Sequence, residues 1–171
     1  MSKLWCALFA QFLLLVSFCC NAASIASYPE DWRSWPVANV SMVPGKDVVL
    51  PEETPLFIQE AVAAYNWINE GKGTKLTTYV HPDKIDQYAT HGPYSDGITV
   101  VGVYETPGVV FVTEHLAGEP IYGTYDTNGL DISSQHPTFE PEFCGRCHTA
   151  YQDICINGTC SVPVIDLFED K

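Results

Sequence analysis

The sequence predicts an α+β domain in which one helix packs across a mainly antiparallel β-sheet, followed by a C-terminal segment rich in cysteine. Two observations predict this class. Apolar residues recur at helical spacing between residues 55 and 70, and short β-prone runs separated by turn residues fill the stretch 75–126. A helix and a sheet of this kind bury their apolar faces against each other.

The helix is expected over residues 55–70. Thr54 is a candidate N-cap, Pro55 suits the first helical position, and Gly71 suits the end of the helix. One face of this helix carries the side chains of Ile58, Ala61, Val62, Tyr65 and Ile68. We expect this face to pack on the sheet.

The sheet is expected to be a meander of about four strands. The first run, KLTTYVH, stops at Pro82. Residues 98–105 and 109–116 flank a Thr-Pro-Gly turn and predict an antiparallel hairpin. Residues 121–126 predict a further strand, which ends at the turn sequence DTNG.

The remaining segments carry weaker patterns. The N-terminal stretch SYPEDWRSWPVANV is expected to be irregular, and residues 81–97 are expected to form a loop with one helical turn. Residues 130–143 are loop-like, with Pro137 and Pro141 as breakers, and the segment from Cys144 predicts a short helix. The tail VPVIDLF is a candidate final strand.

The first 23 residues have the pattern of a secretory signal peptide. Lys3 precedes an uncharged apolar run, and small residues follow at Ala22 and Ala23. The run is shorter than the roughly 20 apolar residues that a membrane helix needs. We therefore expect residues 24–171 to form one exported domain, with no membrane attachment after the signal is cleaved.

Charge excludes some classes of partner. Without Lys3 the chain has 7 basic and 21 acidic residues, a net charge of −14, and no basic cluster. Nucleic acid and anionic membrane surfaces are therefore disfavoured as partners. The acidic surface favours solubility and would attract a cationic partner.

The sequence CGRCH, formed by Cys144, Cys147 and His148, is the attachment signature of a c-type haem. Two thiols at this spacing reach the two vinyl groups of one macrocycle, and the adjacent histidine then lies under the iron as its axial ligand. We expect one covalent haem c. Two alternatives are a zinc site of four cysteines, C-x2-C-x7-C-x4-C, and a domain held only by disulfides.

Under the haem interpretation, Cys155 and Cys160 remain for a disulfide. Four residues separate them, and the central pair Asn157-Gly158 is a natural turn. We expect a small disulfide-closed loop.

A β-rich domain that ends in C-x-x-C-H resembles the cytochrome P-460 family, which includes the cytochromes c′-beta. The similarity runs from about Asp31 to His148. It is carried by DWRSWPVANV, YVHPDKIDQYATHGPYSDGITVVGVYE and YGTYDTNG, together with CGRCH. The resemblance implies an antiparallel sheet, often dimeric, around one periplasmic haem whose axial ligand corresponds to His148.

The resemblance also implies that the sixth position of the iron is open, for a gas such as nitric oxide or carbon monoxide or for a nitrogen-oxide species. In the hydroxylamine-oxidising branch a lysine bonds to the haem rim, whereas here Gly102 lies at the likeliest position, with Lys75 and Lys84 as the remaining candidates. This departure favours the c′-beta type over an oxidase that passes electrons to a partner cytochrome. Enzymatic activity stays open, with Glu114 and Glu119 as candidate proton relays.

The open-iron interpretation competes with a six-coordinate electron carrier. No methionine follows His148, and Met42 lies far upstream, so a second histidine would have to close the iron. The candidates, each expected at the surface or in a turn, are His81, His91, His115 and His136. The aromatic candidates for the distal pocket are Phe57, Tyr79, Tyr94, Phe111 and Tyr122.

Overall fold

The computed structural model describes residues 23–160. It confirms the α+β class: a five-stranded antiparallel sheet is covered on one side by helices. The strands follow one another in chain order across the sheet. They are β1 (Val37–Val43), β2 (Thr74–Val80), β3 (Thr99–Tyr104), β4 (Val109–Leu116) and β5 (Glu119–Asp126).

The described residues contain three α-helices, at the places of the predicted helix, the predicted helical turn and the predicted short helix from Cys144. They are α1 (Leu56–Tyr65), α2 (Ile85–Ala89) and α3 (Pro141–Ala150). A second, two-stranded sheet follows α3 and consists of β6 (Cys155–Ile156) and β7 (Thr159–Cys160). We call residues 155–160 the disulfide hairpin.

The expectation that the N-terminal stretch SYPEDWRSWPVANV is irregular was wrong for residues 37–40, which belong to strand β1. This edge strand pairs with β2, with Ser41 opposite Leu76. Ser41 and Val43 point into the fold, whereas Val40 and Met42 are exposed. The long-range pairing with β2 stabilises a strand that the local pattern of prolines and tryptophans obscured.

Helix α1 is shorter than predicted because the chain must turn into β2. It ends at Tyr65, and Asn69 and Glu70 then adopt left-handed backbone angles, with φ of 56° and 58°. Ile68 is still buried, on a 3₁₀ turn. Pro55, not Thr54, is the N-cap, and no side chain caps this end.

Helix α3 begins three residues before the predicted start. Pro141 is its first residue, where a proline loses no helical hydrogen bond, so it starts the helix instead of breaking it. The predicted strand β2, the hairpin of β3 and β4, and strand β5 are confirmed, with ends shifted by two residues or fewer.

Each face of the sheet packs against a different part of the chain. On the back face, valines of β3 and β4 contact the N-terminal segment that contains Ala26, Trp32 and Trp35. Register places Leu76, Gly102 and Phe111 on the opposite, front face, which α1 and α3 cover. The back face thus holds one core cluster, and the front face borders the cavity together with a second core cluster that contains Val43 and Tyr104.

Some predictions fall outside the described residues. The candidate strand VPVIDLF and nearly all of the predicted signal peptide lie there. Between residues 23 and 160, no helix is long and apolar enough to cross a membrane.

Candidate cofactor site

A cavity lies between the front face of the sheet and helices α1 and α3. The space in it that is accessible to a water molecule is about 170 Å³, and it opens to solvent. Its wall is mainly apolar and aromatic, with a few hydroxyl and amide groups, as is typical of sites for cofactors and small molecules. Cys144 and His148 both form part of this wall.

Cys144 and Cys147 are free thiols one helical turn apart on the same side of α3. Cys144 is buried at the cavity wall, and burial raises the pKa of its thiol to about 12, although a contact with the Tyr65 hydroxyl opposes part of the rise. Cys147 is half-buried and packs against the cluster that contains Phe57. Because neither thiol is used in a disulfide, both remain for another covalent bond.

One ring nitrogen of His148 is engaged, and the other is left for a ligand. The Nδ1–H group donates to the carbonyl oxygen of Gly158, with an Nδ1–O distance of 3.1 Å. A carbonyl can only accept, so Nε2 carries the lone pair. Desolvation is the main cause that lowers the pKa of His148, which keeps the ring neutral as metal ligation requires.

The disulfide hairpin supplies this carbonyl. The predicted disulfide between Cys155 and Cys160 is present, and Asn157 and Gly158 form the turn with positive φ at both residues. The hydroxyl of Tyr122 donates to the same Gly158 oxygen at 3.0 Å. Because two of the four sulfurs are bonded to each other, the four-cysteine zinc site does not form.

Helix α3 packs on β5 at Gly145, the residue after Cys144. A Cβ at this position would lie 3.4 Å from the Tyr122 ring. The same ring lies edge-on to the His148 ring, with the centroids 5.2 Å apart. The packing of α3 on β5 thus places His148 beside Tyr122 at the cavity wall.

The cavity floor shows two features of a ligand site. Gly102 lies at its centre on β3, where any side chain would project into the space. Ser41 is 7% exposed and lines the cavity, yet among the described residues its hydroxyl has no hydrogen-bond partner. A buried polar group without a partner costs free energy, so a ligand that bonds Ser41 would stabilise the protein.

Three of the five aromatic candidates line the cavity, namely Phe57, Phe111 and Tyr122. Tyr79 points to the back face, where its ring meets Trp32. Tyr94 packs in a separate cluster with Tyr88. Sequence reasoning missed three tyrosines of the wall, Tyr65, Tyr88 and Tyr104. Two of them had a signal: Tyr65 belongs to the predicted helix face, and Tyr104 lies two residues after Gly102 on the same strand face.

The two glutamates are not brought to the cavity. Glu114 pairs with Thr99 and Ile121, which places it on the back face of the sheet. Glu119 is exposed at the start of β5. Their assignment as proton relays has no support in the placement of these side chains.

His148 is the only histidine that lines the cavity in the part of the chain that the structure describes. His81 lies edge-on to Trp35, His136 stacks on Trp67, and His91 is exposed in the loop after α2. The expectation that His115 lies at the surface was wrong, because its side chain is 1% exposed and bonds the disulfide hairpin.

No lysine of the described residues lines the cavity. Lys75 is half-exposed and forms an ion pair with Glu105 at 2.6 Å. Lys84 is directed to the backbone oxygen of Asp96. Gly102 does lie on the cavity floor, at the position where the cross-linking lysine was sought.

No family model matches the chain, and no curated protein is significantly similar to it. Within residues 23–160 there is also no group of three or more histidine, cysteine, aspartate or glutamate side chains placed to hold a metal ion.

Proposed function

We propose that this protein is an exported c-type cytochrome that binds a small gaseous or nitrogen-oxide ligand. One haem c would be attached through Cys144 and Cys147 and ligated by His148. A single observation carries the proposal: two free thiols and a histidine with an available Nε2 lie on one helix, and Cys144 and His148 line an apolar cavity.

The residues present fit this cofactor. The motif needs two cysteines that are not consumed by other bonds, and Cys155 and Cys160 pair with each other instead. A haem iron needs one protein ligand here, so a cluster of several metal-ligating side chains is not required. When bound, the haem supplies an iron that can take up a diatomic molecule or exchange one electron.

The protein side of the site favours an open sixth position. Of the described histidines only His148 reaches the cavity, and Met42 is half-exposed on the outer face of β1. The wall that would face a sixth ligand is built from aromatic rings, aliphatic side chains and hydroxyls, which exclude water and do not bind iron strongly. The six-coordinate electron carrier is therefore the weaker alternative.

The resemblance to the cytochrome P-460 family supports the same proposal. The family's antiparallel sheet, C-terminal motif and periplasmic location agree with the sheet of this chain, with CGRCH on α3 and with the predicted signal peptide. Gly102 on the cavity floor favours the c′-beta type. A homodimer and a partner cytochrome remain proposals that rest on the resemblance alone.

The attachment can be tested by mass spectrometry on protein produced in a bacterial host that matures c-type haem. We expect the exported protein to carry the mass of one haem, and the C144A/C147A variant to carry none, because both thioethers are then lost. The C155A/C160A variant is the matched control and should keep its haem. Wild-type protein without haem, or haem retained by C144A/C147A, would overturn the proposal.

A further inference from the structure

We propose that the buried His115 and the turn residue Asn157 are positioning residues, which hold the disulfide hairpin so that Gly158 orients His148. This inference rests on the proposed function, since the orientation of His148 matters most when it binds iron. The contacts involved join the disulfide hairpin to His115 on β4 and to the loop around Tyr94, both of which are distant in sequence from the C-x-x-C-H motif.

The first contact joins the turn to the loop before β3. The Asn157 side chain accepts from the Tyr94 backbone N–H at 3.1 Å and donates to the Tyr94 carbonyl at 3.0 Å. The amide therefore bonds one residue of the loop in both directions, as a neighbouring strand would. Its position fixes the tip of the disulfide hairpin, directly before Gly158.

The second contact is buried. The side-chain nitrogen of Asn157 also lies 3.4 Å from Nδ1 of His115. An amide NH₂ group only donates, so Nδ1 of His115 accepts this hydrogen bond and the ring proton is on Nε2. That Nε2–H donates to the hydroxyl of Thr159 at 2.9 Å. His115 thus forms hydrogen bonds with Asn157 and Thr159, the residues on either side of Gly158. The side chains of His115 and Thr159 are both buried.

These contacts affect His148 because they position the carbonyl oxygen of Gly158. The Gly158 carbonyl accepts from both His148 and Tyr122, so its position decides whether Nδ1 of His148 keeps its hydrogen bond. A hydrogen bond from the second nitrogen fixes the tautomer and raises the basicity of a metal-ligating histidine. Residues that hold Gly158 in place therefore tune the strength of the iron–histidine bond.

The test is resonance Raman spectroscopy of the ferrous, haem-loaded protein, which reports the iron–histidine stretching band. H115F removes both polar contacts and keeps a planar aromatic ring, and N157G removes the amide while allowing the left-handed turn. We expect the band to shift to lower frequency in both variants, since His148 becomes a weaker donor. H115Q restores a donor near the Nε2 position and should return the band towards the wild-type frequency.

N69G is the matched control. Like Asn157, Asn69 has a left-handed backbone, and its side chain donates to a backbone carbonyl, the Gly73 oxygen at 2.7 Å. Asn69 does not line the cavity. Its band should stay at the wild-type position. An unshifted band in H115F and N157G, or an equal shift in N69G, overturns the inference. Wild-type protein without haem contradicts the proposed function instead, so the two failures are distinguishable.

Discussion

Gly102 decides how much room the cavity has above the central strand. Its backbone lies on the floor, and a Cβ there would meet the nearest atom, Cδ1 of Leu76, at 3.4 Å, which is an ordinary contact. The strand can therefore accept a β-branched residue, which suits extended backbone better than glycine does. The space for a ligand is what such a residue would remove.

We expect G102V to keep the fold and thermal stability of the protein and to lower the affinity of the ferrous protein for carbon monoxide about tenfold or more. Carbon monoxide titration followed by absorption measures this. T99V is the control, because Thr99 lies on the opposite face of β3. Unchanged affinity in G102V would show that ligands bind away from this floor.

His115 makes stability depend on pH. Burial is the main cause that lowers its pKa, and the charges of Asp96 and Glu119 oppose part of the effect. The unfolded chain therefore takes up a proton, below about pH 6.5, that the folded chain does not. The contribution of neutral His115 to stability is full above this pH and is lost as the pH falls towards the folded pKa.

We expect wild-type protein to lose stability more steeply than H115Q between pH 7 and pH 5, as measured by urea unfolding at several pH values. One proton can contribute a slope of at most about 1.4 kcal/mol per pH unit. Parallel curves for the two proteins would mean that His115 is not the group responsible.

At the scale of elements, the disulfide hairpin is short and locally encoded. It joins Cys155 and Cys160 around an Asn-Gly turn with positive φ at both central residues, as two-residue hairpins require. Loop-closure entropy for about six residues predicts that this disulfide stabilises the protein by about 2 kcal/mol.

We expect C155A/C160A to lower the free energy of unfolding by about this amount, with a further loss because Cys155 is fully buried. Urea unfolding of the variant, and of wild-type protein with and without reductant, measures the change. Reductant leaves haem thioethers intact but can also reduce the haem iron, so C155A/C160A treated with the same reductant is the control for that effect. No difference between the untreated variant and the two wild-type samples would contradict the structure of the hairpin.

The elements predicted correctly are those specified by neighbouring residues. The hairpin of β3 and β4 follows from two alternating runs around a Thr-Pro-Gly turn, and CGRCH lies on a helix as expected. Strand β1 was missed because its pairing partner β2 lies more than 30 residues away in sequence. The early end of α1 also depends on distant contacts, since Gly45 approaches the Gly71 carbonyl too closely for any larger residue.

The residues of the candidate site also fall into those that local sequence specifies and those that depend on distant pairing. Cys144, Cys147, His148 and the disulfide follow from spacing alone, whereas Ser41 enters the cavity only through β1. The face on which Glu114 lies depends on strand register, and a shift of one residue would reverse it. The burial of His115 depends on the disulfide hairpin folding back onto β4, which no local pattern specifies.

At the scale of the whole molecule, the two faces of the sheet pack against different parts of the protein. Its back face packs against the N-terminal segment and forms a core in which Trp32 and Val110 are buried. Its front face is left for the cavity, and the disulfide hairpin after α3 folds back to contact His148. The core cluster on the back face therefore includes none of the proposed haem-binding residues, whereas Val43 and Tyr104 both line the cavity and belong to a core cluster on the front face.

The most direct test of the account is the absorption spectrum of the ferrous protein with and without carbon monoxide. We expect a high-spin ferrous haem whose spectrum shifts on addition of carbon monoxide, because the described cavity offers the iron His148 and no second strong ligand. A low-spin ferrous spectrum that carbon monoxide leaves unchanged would contradict the account and identify an electron carrier whose iron is closed by a second protein ligand.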